Sequence, residues 1–274
     1  MLAPWIIEHF PEHRVYVELF GGAGSVLMRK PRSYAEVYND LDGEIVNVFR
    51  QLRDPTTARA LAQQLELTPW SRDEFIASYE PTAEPLERAR RTITRAFMAF
   101  GTTARKENRT GFRAVPWRGR DGDHKNTGVD DWRNYPAAIP AFVERLTGVS
   151  IENRDAVEVL QQQDHEDVLF YVDPPYPLDT RSSMRRRSDR EHAYRHELTD
   201  DDHRALAAAL HQARGMVVVS GYACDLYDRE LFPDWRRLTR DTLADGARKR
   251  TEVLWLNDAA VRRRVGLFPA RAGA

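Results

Sequence analysis

Asp173-Pro174-Pro175-Tyr176 is the run of residues best suited to chemistry in this sequence. Tandem prolines fix φ and remove two backbone donors, which leaves carbonyls exposed as acceptors. The Asp173 carboxylate and the Pro174 carbonyl can together accept both N–H bonds of an aromatic amine. Such an amine is a poor nucleophile, because its lone pair is delocalised into the ring. Two acceptors localise that lone pair and stabilise the positive charge that develops as nitrogen takes up a methyl group. Tyr176 offers a face on which a base can stack. The plain alternative is a rigid turn that ends a strand and carries a surface tyrosine.

A second constellation lies far upstream: Phe20-Gly21-Gly22-Ala23-Gly24, with Asp40. A glycine turn after a strand lets a ligand approach the backbone closely. The dinucleotide fingerprint G-x-G-x-x-G fails, because counting from Gly22 its third glycine position is Leu27. No Gly-Lys-Ser/Thr follows, so a phosphate loop is also absent. A nucleoside without phosphates fits better, with Asp40 accepting hydrogen bonds from its ribose hydroxyls. The alternative is an ordinary strand-to-helix turn with a helix-capping aspartate.

The elements around these residues follow an α/β rhythm. Leu2, Trp5, Ile6 and Phe10 predict a short amphipathic helix. Val15 to Phe20 reads as a buried strand ending in the glycine turn, and a helix is expected from Ser25. Ala35 to Tyr38 is a second strand, followed by a helix around Ile45, Val46 and Phe49. Strand, glycine turn, helix, strand is the pattern of a doubly wound sheet. From about residue 50 to 100 only helices are predicted, with Ser71 and Glu74 as a capping pair. Residues 101 to 131 read as a long loop. The rhythm returns at Val149 to Ile151, with strands at Val168 to Val172, Met216 to Ser220 and Glu252 to Leu256, and Thr199 with Asp202 opening a helix. One α/β domain, residues 1–49 and 149–268, is thus interrupted by a helical insertion, 50–148, and followed by a flexible tail, 269–274.

Composition narrows the function classes. The net charge is −1, so the chain is not a polycation, but bases cluster locally. Residues 101–125 hold seven (Arg105, Lys106, Arg109, Arg113, Arg118, Arg120, Lys125) against three acids, and 180–190 hold five arginines, Arg181 among them. These segments can meet a phosphate backbone; the alternative is a solvated charged loop. Cys224 is the only cysteine, so no internal disulfide and no cysteine-rich zinc site can form. It is expected to be a packed or partly exposed thiol. His192, His196 and His203 complete no zinc motif, and no metal is expected. No apolar run is long enough to span a bilayer, and Met1 to Trp5 do not read as a signal peptide.

Tyr16 to Ser25, Asn39-Asp40, Leu169 to Tyr176, Met216 to Tyr222 and Thr251 to Asn257 resemble the motifs of Dam-type adenine-specific DNA methyltransferases, in their short phage-type branch. The resemblance covers nearly the whole chain and has the family's motif order. Family members carry an aromatic and Gly-Gly-Lys segment ahead of the helix that here starts near Leu2; the sequence in hand starts after that point. The resemblance implies a Rossmann-like methyltransferase core, S-adenosylmethionine as donor and a flipped adenine in double-stranded DNA as acceptor. Phe20, Gly21, Gly22, Gly24, Asp40 and Asp173 would then bind the cofactor, with Asp155 meeting its adenine. Asp173, Pro174, Pro175 and Tyr176 would be catalytic. Arg105, Arg109, Arg113, Arg118 and Arg181 would contact DNA, with Phe112 or Trp117 available as a wedge. Methylation of another amine (cytosine N4 in DNA, adenine in RNA, a protein glutamine) and a catalytically silent DNA-binding relative are the rival readings. A cytoplasmic setting, in a bacterial or phage-infected cell, and a cognate restriction endonuclease accord with the resemblance, which leaves the oligomeric state open.

Overall fold

A computed structural model describes residues 2–99, 111–113, 128–177, 196–244 and 248–265. The chain divides into two compact units: Met1–Leu41 with Gly148–Arg185 and His196–Ala274, and Asp42–Thr147 with Arg186–Arg195.

The first unit is built on seven strands: Val15–Glu18 (β1), Ala35–Asn39 (β2), Val149–Glu152 (β3), Val168–Val172 (β4), Met216–Tyr222 (β5), Arg236–Ala244 (β6) and Arg248–Leu256 (β7). Their order is β3-β2-β1-β4-β5-β7-β6. β1 to β5 run parallel, and β7 lies antiparallel between β5 and β6. Alternation decides which residues share a face. Val17 pairs in register with Val37 and Phe170, and Phe170 with Val217. These residues join one core with Val159, Leu160, Leu206, Leu210 and Trp255. That core is closed by the helix Ala156–Gln163, the helix Asp200–Gln212 and a π-helical turn, Leu226–Leu231. On the opposite face Phe10, just past the short helix Ala3–Glu8, packs against the rings of Tyr16 and Tyr171. Thr199 and Asp202 form the expected capping box.

One local expectation is corrected. No regular helix follows Ser25; residues 25–30 form turns. The Met28 and Lys30 amides reach back four residues, to Gly24 and Val26, but the Arg29 amide reaches only three, to Val26, and Pro31 blocks extension. The last expected strand, Glu252 to Leu256, forms within β7, the inner strand of a hairpin. Its partner β6 begins Arg-Arg-Leu-Thr-Arg-Asp, a mostly polar edge strand that gives little hydrophobic signal. Beyond β7 comes the helix Asp258–Val265, tied to the sheet by Asn257, whose side chain bonds the Val217 amide, the Gly215 carbonyl and the Ala260 amide.

The second unit is helical. It starts at Asp42, so the helix Gly43–Arg53 packs with this unit. Pro55–Leu67, Arg72–Ala77 and Pro85–Met98 follow, and Asp42, Asp54 and Ser71 each cap a helix through a side-chain oxygen. Gly128–Leu146 is also a helix, beginning inside the stretch expected to be loop and containing Pro136 and Pro140. Burial of Trp132, Ile139 and Leu146 at a seven-residue spacing, and the Trp132 indole bond to the Thr68 carbonyl (3.1 Å), hold it despite its prolines. No helix among the described residues is long and apolar enough to cross a membrane.

Candidate active site

In an open parallel sheet, ligands bind beyond the carboxyl ends of the strands where the strand order reverses. Here that point lies between β1 and β4, and both constellations stand at it. The turn Gly21–Gly24 leaves β1, and Asp173 follows directly on β4.

Three glycines in the turn have separate reasons. A Cβ at Gly21 would stand 2.0 Å from the Tyr38 ring, so no larger residue fits. Gly22 and Gly24 have φ of 51° and 65°, the left-handed region. The Gly21 amide donates to the Asn39 carbonyl (2.8 Å), the Tyr38 hydroxyl to the Gly22 carbonyl (2.6 Å) and the Gly22 amide to Asp40 Oδ2 (2.7 Å). The turn is therefore held by β2 as well as by β1. Asp40 is not the helix cap that the plain alternative requires; Asp42 caps the next helix, accepting from the Glu44 amide (2.9 Å). Phe20 and Asp40 are both half-buried at the rim of the turn.

The loops after β2 and β3 are fastened together. The Asn39 side chain donates to the Leu19 and Arg154 carbonyls and accepts from the Arg154 amide, and Asn153 donates to the Asp40 and Leu41 carbonyls. This places exposed Asp155 on the Asp40 side of the sheet, where it caps the helix Ala156–Gln163 through the Val157 and Glu158 amides.

Glu18, the last residue of β1, is a member of this site that the motifs did not announce. It is 2% exposed. Its Oε2 accepts from the Tyr16 hydroxyl (2.8 Å) and the Leu27 amide (3.0 Å). Burial pushes its pKa up to about 8, beyond what those two bonds restore. An acid inside an otherwise apolar strand, Val-Tyr-Val-Glu-Leu, was the available signal.

Asp173 is half-buried, and Pro174 and Pro177 are buried. The Ser220 hydroxyl donates to Asp173 Oδ1 (2.9 Å), and the Tyr171 hydroxyl lies 2.8 Å from the Ser220 oxygen. The half-buried Tyr176 ring meets Tyr222 at 4.7 Å and 63°, edge to face. Tyr171, Ser220 and Tyr222 were also missed; only a side-chain network across two strands reveals them.

Of the five arginines expected to contact DNA, Arg105, Arg109, Arg118 and Arg181 lie outside the described residues, as does Trp117. Arg113 is described, in the helical unit. Its amide donates to the Met98 carbonyl (2.7 Å), and its carbonyl accepts from the Trp70 indole (3.1 Å). The half-buried Phe112 ring packs against Trp70 and Phe75, with Arg72 above it. Among the described residues no group of His, Cys, Asp and Glu could hold a metal. His203 is buried in the first turn of its helix, within 3.0 Å of the Tyr227 hydroxyl, and Cys224 is half-buried.

A comparison with family models agrees with the motifs. A family model described as D12 class N6 adenine-specific DNA methyltransferase matches residues 1–238. No curated protein sequence matches the chain. Among solved structures, the Escherichia coli protein yhhF, described as a methyltransferase, is similar over 93% of this chain and 80% of its own, at 11% identity and a TM-score of 0.31. A likeness that distant carries no argument; the strand order establishes the α/β core by itself.

Proposed function

The chain belongs to the D12 class of N6 adenine-specific DNA methyltransferases, and we propose that it moves a methyl group from S-adenosylmethionine to the N6 amine of an adenine turned out of the duplex. The observation that carries this reading is Asp173-Pro174-Pro175-Tyr176 at the carboxyl end of β4, beside the glycine turn at the reversal of strand order.

The turn suits this donor. Gly22 is half-buried at the turn, and the turn's acid, Asp40, whose Oδ2 accepts from the Gly22 amide, would accept from ribose hydroxyls and repel a phosphate. Gly21, Gly22, Gly24 and Phe20 would hold the donor, Asp40 its ribose and Asp155 its adenine. When bound, S-adenosylmethionine supplies an electrophilic methyl carbon on a positively charged sulfur. Asp173 and the Pro174 carbonyl accept the two N–H bonds of the target amine, directing its lone pair and stabilising the charge that grows on nitrogen. Tyr176 stacks on the extruded ring, and Pro175 fixes the distance between carboxylate and ring. Most of the gain comes from orientation and placed dipoles, with no covalent enzyme intermediate. The helical unit reads the duplex through Arg113 together with Arg105, Arg109 and Arg118, and Arg181, after the catalytic motif, adds a contact from the sheet unit. Such an enzyme works where DNA is, in the cytoplasm of a bacterial or phage-infected cell.

The test is incubation of the purified protein with methyl-labelled S-adenosylmethionine and DNA lacking adenine methylation, with RNA in parallel and Asp173→Ala as control. Label recovered as N6-methyladenine in DNA, and absent with the variant, is the expected result. Label in cytosine or RNA, or a fully active variant, overturns the reading.

A further inference from the structure

The carboxyl end of β5 bears on the site without being part of either motif. Ser220 and Tyr222 are two residues apart on one strand, so they share a face. Ser220 is buried and its hydroxyl has a single proton, which it gives to Asp173 Oδ1. The Tyr171 hydroxyl, 2.8 Å from the Ser220 oxygen, must then be the donor in that pair. The chain of bonds runs one way, from Tyr171 through Ser220 to Asp173. Tyr171 is fully buried, and burial holds its phenol protonated well beyond neutral pH, so the donor end persists. At the other end of the motif, the edge-to-face contact of Tyr222 limits the tilt of the Tyr176 ring. Gly221 between them would bring a Cβ to 3.3 Å from the Trp255 ring on the opposite face, so that position has little room for a side chain.

We propose that Ser220 and Tyr222 are positioning residues for methyl transfer: Ser220, backed by Tyr171, aims the Asp173 carboxylate at the adenine amine, and Tyr222 sets the tilt of the ring on which the base stacks. A carboxylate that can rotate about its side-chain torsions meets the amine in many geometries, and only a few of them direct the lone pair. The inference rests on the reading of Asp173 to Tyr176 as the adenine-binding motif.

The test uses the full chain, S-adenosylmethionine and genomic DNA from a strain lacking adenine methylation. Rates, KM values and melting temperatures are measured for Ser220→Ala, Ser220→Thr, Tyr171→Phe, their Ala/Phe double variant, Tyr222→Ala and Tyr222→Phe, with Asp173→Ala alongside. Ser220→Ala is expected to lower kcat ~10–100-fold, the loss of one hydrogen bond to a charged group. The KM for S-adenosylmethionine should stay within about threefold, since the bond acts on the amine, while the melting temperature falls because the buried Tyr171 hydroxyl loses its acceptor. Ser220→Thr keeps the hydroxyl and recovers most of the rate. Tyr171→Phe costs less, and the double variant is no slower than Ser220→Ala, because the two act in series. Tyr222→Ala raises the KM for DNA, and Tyr222→Phe restores it.

Full kcat in Ser220→Ala beside a dead Asp173→Ala overturns the positioning role and leaves the adenine reading standing. If Ser220→Ala does not fold, full kcat in Tyr171→Phe, which loses only an oxygen atom, overturns it equally. Activity in Asp173→Ala would instead overturn the underlying reading.

Discussion

Two glutamates, one in each unit, are withdrawn from water in opposite ways. Glu18 ends β1 under the glycine turn, where the Tyr16 phenol and the Leu27 amide donate to it, and burial raises its pKa to about 8. Glu87 lies in the first turn of the helix Pro85–Met98. Its hydrogen bonds to Arg90, reinforced by Arg91, pull its pKa down to about 2. Arg90 also reaches Glu74 and Thr68, so one guanidinium ties three helical segments together. The sheet unit thus keeps an uncharged acid beneath its turn at neutral pH, which avoids a second anion near Asp173. The helical unit uses full charges, partly exposed and geometrically paired. Glu18 is held by neutral donors, and Glu87 by paired guanidiniums.

The sharpest way to break the contrast is to spoil the sheet unit's turn sterically. Gly21→Ala forces a Cβ against Tyr38, whose hydroxyl also holds the Gly22 carbonyl. It should cost ~3 kcal/mol in a urea melt and abolish cofactor binding by calorimetry. A variant that binds normally would show that the turn can move aside.

Titration separates the two acids by sign. Glu18 has a folded pKa above its ordinary value of 4.5, so its stabilisation is full below that value and lost as pH rises to about 8. Glu18→Gln should match the parent at pH 4.5 and melt ~5 °C higher at pH 9. Equal melting at pH 9 would mean that Glu18 ionises without cost. Glu87 behaves in reverse: its contribution is present above 4.5 and lost as pH falls toward about 2. Glu87→Gln should therefore cost ~1–2 kcal/mol at pH 7, with the gap closing near pH 2. A gap unchanged at low pH would reassign the loss to packing.

The smallest effect on stability is expected at Arg113, whose backbone carries the bonds to Met98 and Trp70. Arg113→Ala should leave the melting temperature within about 1 °C and weaken duplex binding by roughly tenfold. Unchanged affinity across a salt series would remove Arg113 from the DNA surface.

Much of this protein was legible in its sequence because the decisive requirements are local. A glycine turn after an apolar strand, an acid at the end of the next strand and an aspartate before two prolines each declare a backbone geometry or an acceptor on their own. Their order along the chain places them at the carboxyl ends of parallel strands, and the structure puts both at the reversal between β1 and β4. Where local signals compete, tertiary structure decided. Asp40 turned to the Gly22 amide, and Asp42 took the cap of the following helix. The segment after Ser25 stayed a set of turns, with the Arg29 amide reaching back only to Val26 and Pro31 ending it. The helix Gly128–Leu146 forms around two prolines because Trp132, Ile139 and Leu146 are buried. The Tyr171–Ser220–Asp173 chain joins residues 49 and 47 positions apart. Such a pairing leaves no periodicity to read, because hydrogen bonds between neighbouring strands depend on register, and register exists only once the sheet has formed.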